Sequence, residues 1–486
     1  MAIRVWQLDA LGFNSDEAVY AGQAAAIAAD PDLREIFPIF RAHPLLFQYV
    51  LAIAHSAGIE EVGARVISAA IGMLTVGLTF LLGRLLYGTR TGLLAALFMA
   101  LMPYHVVVSR QVLLDGPMTL FATLALYLVA RFAHSGRPAW LYAAGGALGL
   151  TFLAKETGIV LLGAIYAFLT LSPEVPVRLR DLAVSVLIMA LVIAPFPISL
   201  ALAGGGGTST VGNYLVWQLF RNANHDWIFY PSTVPMAIGF LVLAIAAAGL
   251  VVRRRVGWNE KLLLAWVLVP VIFFQFWPVK GFQYLLPVTA PITVLAALAV
   301  TEIFPVTIWG PVARDWVRVY LLPAALGVTI AVSLAVGSWY RIQVAVSGEF
   351  LAGSGGVPGG REAGLWVREN VPQGATLMTI GPSMANILQY YGQRPAAGLS
   401  VSPDPLRRNP SYEPINNPDL VIRSGDIQYL VWDSFSAARS PYFSDLLLEY
   451  ASRYNGRVLH TETITTTTPS GEHATLPVII VYEVRP

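Results

Sequence analysis

Apolar residues in this chain run in long bands rather than alternating with polar ones. Ten bands stand out, at 66–83, 91–109, 111–130, 138–154, 157–173, 182–203, 230–252, 262–279, 281–301 and 319–340. Each comes close to the roughly 20 helical residues that cross a hydrocarbon core of about 30 Å. Helices are the expected form, because a backbone in lipid has to satisfy its own hydrogen bonds. The two shortest bands, 138–154 and 157–173, are separated only by Lys155 and Glu156, and together they are too long for one crossing. Past residue 342 the pattern changes. The turn-rich stretch Gly353-Ser354-Gly355-Gly356-Val357-Pro358-Gly359-Gly360 is followed by strand-like runs at 374–381, 427–434, 456–468 and 476–484. Amphipathic helical stretches at 359–371, 383–392 and 440–454 lie among them, which predicts a small α/β domain. The expected organisation is a first loop over 1–64, a transmembrane helical domain of about ten spans over 65–341, and a soluble α/β domain over 342–486. There is no internal repeat.

Composition agrees with a polytopic α-helical membrane protein. Of 486 residues, 56% are hydrophobic and only 12% charged, against about 25% charged in soluble domains. That excludes an ordinary cytosolic enzyme and a disordered chain. A net charge of +2 leaves no basic footprint for nucleic acid, and the absence of Cys removes disulfides and thiolate chemistry. Loop charges set the expected orientation. One side collects Arg84, Arg90, Arg131, Arg137, Arg178, Arg180, Arg253, Arg254, Arg255, Lys261, Arg314 and Arg318; the other collects Arg110, Lys155, Arg221 and Lys280. The richer side is expected to be cytoplasmic, so the first loop and the tail are expected on the extracytoplasmic side of the cytoplasmic membrane. Residues 1–14 hold neither a signal peptide nor a span, which suggests a first span missing ahead of Met1; the alternative is that the first loop crosses with the first hairpin.

An ionisable residue at membrane depth is costly and is a functional candidate by default. Asp16 and Glu17 in the first loop, Arg110 and Asp115 at the start of a span, Lys155 at a turn, His225 and Asp226 in the loop 204–229, and Lys280 in Trp277-Pro278-Val279-Lys280-Gly281 all fall on the expected outer side. Carboxylates and cations gathered at one membrane edge suit an anionic lipid headgroup and a proton acceptor. Each residue also has a plain structural reading. Asp16 suits the N-cap of a helix over 18–29, with Glu17 favoured by the helix dipole. Arg110 and Lys155 suit interfacial anchors, Asp115 a pairing with Arg110, His225 a loop, and His43-Pro44 a turn before the apolar stretch 45–57. No P-loop, H-E-x-x-H or G-x-S-x-G occurs.

The order of these elements resembles a GT-C glycosyltransferase of the protein mannosyltransferase and aminoarabinose transferase type. Leu11-Gly12-Phe13-Asn14-Ser15-Asp16-Glu17-Ala18-Val19-Tyr20 resembles the family's first acidic motif. Arg41-Ala42-His43-Pro44-Leu45 resembles its His-Pro-Pro-Leu with the second Pro lost. Gly63-Ala64-Arg65 matches the Arg that opens the next span. Ser109-Arg110-Gln111-Val112-Leu113-Leu114-Asp115 resembles the second acidic motif, and Phe152-Leu153-Ala154-Lys155-Glu156-Thr157-Gly158 the Lys turn. Asn224-His225-Asp226-Trp227-Ile228-Phe229-Tyr230 resembles the aromatic entry to a later span. Lys280-Gly281-Phe282-Gln283-Tyr284-Leu285-Leu286-Pro287 resembles Lys-x-x-Arg-Tyr-Leu-Leu-Pro, with Gln283 in place of Arg. The resemblance covers about residues 6–300. The family normally carries a span before the acidic loop.

The resemblance implies a sugar donor on a polyprenyl monophosphate and a hydroxyl acceptor on a protein, lipid or glycan. It also implies one-step transfer with inversion. A hydroxyl needs a base to take its proton, and Asp16 is the candidate. Glu17 would orient the acceptor or help hold a metal, and Asp115 would position a cation or the acceptor. The leaving phosphate needs positive charge, for which Lys155, Arg65 and Lys280 are candidates, followed by Arg110. His43, His225, Tyr20 and Tyr284 are candidates for substrate or metal contact. A divalent metal is used by some GT-C families, and the sequence does not decide it. The stretch 45–57 is expected to lie flat at the interface and shape a groove for the lipid. The rival reading is a transporter or flippase, which would place polar residues near mid-membrane and often repeat one half in the other.

Overall fold

The computed structural model describes residues 1–38, 43–202, 217, 220–253, 256–303, 320–347, 356–467 and 473–485. Arg41 and Ala42 of the His-Pro motif, most of the loop 204–229, Arg254, Arg255, Arg314, Arg318 and the turn at 353–355 lie outside the described residues.

Every one of the ten apolar bands falls on helix, but fewer qualify as spans. Among the described residues, six helices are long and apolar enough to cross a membrane: Glu61–Tyr87, Asp115–Ser135, Leu179–Ser199, Trp258–Phe276, Phe282–Ile303 and Leu322–Arg341. Two bent pairs raise the number to eight. The remaining bands form the shorter helices Pro138–Ala154 and Glu156–Leu171. The chain is thus a multi-span helical membrane protein, with six to eight spans among the described residues where the hydrophobic pattern suggests about ten.

Both bends have local causes. Thr89–Leu101 meets Pro103–Ser109 at 59°, where Pro103 cannot continue the helix. The carbonyls this break frees are satisfied from elsewhere: Arg4 Nη1 donates to Ala100 O at 2.8 Å and Ser338 Oγ to Leu101 O at 2.6 Å. Phe229–Ile238 meets Phe240–Val252 at 94° about Gly239, whose φ of +104° is open to glycine and strained for other residues. Within the apolar helices, the hydroxyls of Thr75, Thr79, Thr123 and Thr151 each donate to the carbonyl four residues back, so none of the four is left unpaired.

The tail forms a five-stranded sheet with helices packed on it. Strands β1 (Thr376–Thr379), β2 (Ala396–Gly398), β3 (Ile427–Asp433), β4 (Arg457–Thr467) and β5 (His473–Glu483) take the order β2-β1-β3-β5-β4. The pairs β1/β2 and β1/β3 are parallel, while β3/β5 and β5/β4 are antiparallel. Side chains alternate between two cores, as the strand period of two requires. Met378 and Leu430 join Leu447 and Tyr450 on one face. Leu377 and Val431 join the large cluster that also holds Phe13 and Ala18 of the first loop. That shared cluster is how the C-terminal domain docks. Arg361 adds polar ties, donating to Asp9 O at 2.9 Å and Leu11 O at 3.0 Å and pairing with Glu61 at 2.5 Å.

Candidate active site

The acidic motif opens the helix Ser15–Ile27, and Asn14, rather than Asp16, caps it. The Asn14 side chain accepts from Glu17 N at 3.0 Å and Glu17 Oε2 accepts from Asn14 N at 3.0 Å, a capping box. The capping oxygen is therefore that of Asn14 and not of Asp16. Successive helical residues point about 100° apart, so the two acids diverge. Asp16 and Tyr20, one turn apart, line a cavity of about 1320 Å³. Glu17 is fully buried behind them. Arg65 Nε donates to Glu17 Oε1 at 2.9 Å, Arg65 Nη2 to Oε2 at 2.8 Å, and the Val112 backbone N–H to Oε1 at 2.9 Å.

Arg65 is absorbed by this arrangement. Its remaining N–H groups serve Leu8 O and Leu11 O, each at 2.6 Å, and Gly12 O at 3.0 Å. A guanidinium has five N–H donors, and all are engaged inside the protein. Arg65 therefore has nothing left for a phosphate. Arg110 also stays away: its Nη1 donates to Ile3 O at 3.0 Å and Arg4 O at 3.2 Å, and it does not line the cavity.

Asp115 pairs with Lys155 rather than with Arg110. Lys155 ends the helix Pro138–Ala154 in an extended conformation, which swings its ammonium onto Asp115 Oδ1 at 2.9 Å and Oδ2 at 2.8 Å. Lys155 lines the cavity with Asp115 behind it, and its ammonium sits 4.9 Å from the Tyr284 ring centre. Beside them His43 Nδ1 meets Glu156 Oε2 at 2.8 Å, with Tyr20 edge-on to the His43 ring.

Lys280 is held differently. Asn224 grips its backbone, Oδ1 accepting from Lys280 N at 2.7 Å and Nδ2 donating to Lys280 O at 2.8 Å. Among the described residues its ammonium has no hydrogen-bond or ion-pair partner, although the residue is only 5% exposed and lines the cavity. Arg221 lines it too, stacked over the Trp217 ring at 4.6 Å. His225 stacks on Phe229 with ring centres 4.0 Å apart. Partial burial, then the positive charges of Arg439 and Lys280 against the opposing Asp226, hold its ring below the ordinary histidine pKa.

The cavity has an apolar floor and a polar roof. Phe152, Val160, Phe196, Phe273, Phe274 and Trp277 line its membrane side. Its roof is the C-terminal domain: Pro382 and Ser383 after β1, Ser400, Arg407, Arg408 and Tyr412 after β2, and Phe435 and Arg439 after β3. These lie past the carboxyl ends of the parallel strands, where strand order reverses, the usual crevice of such sheets. Cations outnumber acids on the lining: Lys155, Arg221, Lys280, Arg341, Arg407, Arg408 and Arg439 against Asp16 and Glu156. Among the described residues, no three His, Asp or Glu side chains gather as a metal shell.

The structure thus brings Asp16, Tyr20, His43, Lys155, His225, Lys280 and Tyr284 to one cavity, and leaves Glu17, Arg65, Arg110 and Asp115 off its lining. Sequence reasoning missed Arg221 and Glu156 as lining residues, though both stood beside candidates it named. It also missed the roof arginines, which carry no motif.

Residues 42–200, about a third of the chain, match the family model described as dolichyl-phosphate-mannose-protein mannosyltransferase. That segment contains His43, Arg65, Asp115 and Lys155. No curated protein matches the chain. Among solved structures, ArnT from Cupriavidus metallidurans in the apo state is similar, with TM-score 0.70 at 15% identity over 97% of this chain and 93% of that one. The same protein bound to undecaprenyl phosphate gives TM-score 0.70 at 16% identity over 99% and 96%. The oligosaccharyltransferase of Archaeoglobus fulgidus tethered with an acceptor peptide gives TM-score 0.59 at 15% identity over 96% and 70%. At such identity the likeness is one of fold: the chain has an ArnT-like GT-C architecture. The resemblance carried by the motif order is borne out by the family segment and by this fold.

Proposed function

We propose that this chain is a membrane glycosyltransferase that moves a sugar from a polyprenyl-monophosphate donor to a hydroxyl acceptor, working at the extracytoplasmic face. The observation that carries the reading is the content of one cavity: a half-buried carboxylate, Asp16, facing the same space as Arg221 and the Lys280 ammonium, which has no partner among the described residues, above an apolar floor. The floor suits a polyprenyl tail and the cations suit its phosphate. The orientation rests on the loop charges.

In the proposed step the acceptor oxygen attacks the anomeric carbon as the bond from that carbon to the phosphate oxygen breaks. The acceptor proton passes to Asp16, and the bonding electrons leave with the phosphate. Attack from the face opposite the phosphate inverts the anomeric centre. Lys280 and Arg221 meet the charge growing on the phosphate. Lys serves there as a point charge and Arg as a planar fork. Lys155 is neutralised by Asp115, so its role is to position the Tyr284 ring and the donor headgroup. A transport role would leave the Asp16 carboxylate at the cavity wall without a reaction to serve.

The test is Asp16→Asn in purified enzyme, assayed with undecaprenyl-phosphate mannose, glucose and aminoarabinose and read by mass spectrometry. Transfer is expected to fall by about 100-fold or more, within the range that general bases contribute, with donor affinity retained. Undiminished transfer would remove Asp16 from the role. Substrate moved across vesicles with no new glycosidic bond would favour the transporter.

A further inference from the structure

The roof and the acidic helix are joined at one buried side chain. Asn386 sits within the helix Pro382–Tyr391, which packs on Ser15–Ile27, and is 1% exposed. Its Nδ2 donates to Ser15 Oγ at 2.9 Å and to Tyr412 Oη at 3.1 Å. An amide nitrogen has two N–H donors, so both are spent. Ser15 is the residue before Asp16, and Tyr412 closes the segment that carries Arg407 and Arg408; all of them line the cavity.

We infer that Asn386 is a positioning residue for transfer: through Ser15 and Tyr412 it fixes the Asp16 end of the first-loop helix to the arginine-bearing segment of the roof. The inference rests on the reading of Asp16 as base. Its physical content is alignment. The base belongs to the membrane half, whereas the open side of the cavity, where an acceptor enters, is walled by the soluble half. A misplacement of about 1 Å between reacting groups costs on the order of 100-fold. A buried amide with both donors engaged has one orientation, and breaking it leaves polar atoms unpaired. Other ties keep the domain seated without it: the Phe13 backbone N–H donates to Tyr391 Oη at 2.7 Å, and Arg361 holds Leu11 O and Glu61. Asn386 therefore sets the register between two bodies that are already docked.

The register has a signature that mere loss of folded protein does not share. A donor bound beside a misaligned base and roof still meets water, but meets the acceptor less often in the right pose. The partition between free sugar and transferred sugar therefore changes, and that ratio is independent of how many molecules are active.

The experiment uses the full-length enzyme in lipid nanodiscs, the labelled undecaprenyl-phosphate sugar selected by the panel above, and a membrane extract of the source cells as acceptor. In Asn386→Leu, transfer per donor-binding site is expected to fall by about 10- to 100-fold. The ratio of hydrolysis to transfer should rise at least about fivefold, with donor affinity unchanged. Adding Tyr412→Phe should cost little more, because both changes cut one connection. Should Asn386→Leu fail to fold, Ser15→Ala, which removes only the hydroxyl, is expected to raise the same ratio. An unchanged ratio with wild-type transfer, or a double variant that loses the product of both single effects, overturns the inference. Asp16→Asn run in parallel separates the two readings. If it transfers normally the base assignment fails, and if it is inactive while Asn386→Leu is normal, only the positioning role fails.

Discussion

Asp16 and Glu17 share a peptide bond and end in different chemistry. One turns toward open space, and the other becomes the buried partner of Arg65, with the Asn14 and Val112 amides completing its shell. The same contrast divides the cations. Arg65→Lys leaves three donors where five were used, so it should cost about 1–3 kcal/mol of stability for a buried carboxylate left short of partners, seen as a lower melting temperature, and leave donor affinity within about twofold. Lys280→Ala strands no partner, so it should leave the melting temperature unchanged and raise the donor Kd about tenfold, which corresponds to about 1.4 kcal/mol. Donor titration and thermal unfolding of both variants read this directly, and the reverse pattern would return the phosphate to Arg65. The sequence made these residues visible as expensive charges at a membrane edge. It could not separate their roles, because Arg65 and Lys280 look alike until their partners are known.

Elements were easier to read than their bends. Hydrophobic bands mark helices because lipid punishes any exposed backbone polar group, and the tail's strands and helices follow periods of two and 3.6. The breaks at Pro103 and Gly239 left no trace in hydropathy, and β2 is only Ala396-Ala397-Gly398, too short to show a period. One element carries a pH signature. Asp433 ends β3, and its Oδ1 caps the helix Ser434–Arg439 by accepting from Ser436 N at 2.6 Å; among the described residues its buried Oδ2 has no partner. Burial, opposed only by the Ser436 bond, pushes the carboxyl up to about 6 from 3.8. The folded domain thus holds the proton more tightly than the unfolded chain. Its contribution is full below pH 3.8 and is lost as pH rises through about 6, amounting to about 3 kcal/mol. Asp433→Asn should flatten that slope in melting curves recorded from pH 4 to 7. An identical slope in the variant would assign it to other groups.

At the scale of the whole molecule, the cavity draws on segments that the sequence keeps far apart. Only the order of the motifs hinted at this, since no local pattern says that the first loop, the Lys turn and the Lys280 turn share a wall. The lipid side adds a surface of its own. The short helix Leu46–Ser56 exposes Tyr49, Val50 and Ile53 along one stripe, with Ile53 at 76%. A stripe of that kind suits a membrane interface. Replacing Val50 and Ile53 with Ser should raise the apparent KM for the lipid donor several-fold more than that for the acceptor, by steady-state assay in nanodiscs. Equal changes in both would deny the helix a part in guiding the lipid.

The bond between Asn386 and Ser15 spans 371 positions. A ribosome making this polypeptide delivers the carboxylate early and the amide that steadies it only near the finish. During that interval the nascent half-enzyme already owns cations for the carrier but has no ceiling over them. Competence would thus arrive late in synthesis, once the last third of the polypeptide has folded and settled onto the beginning.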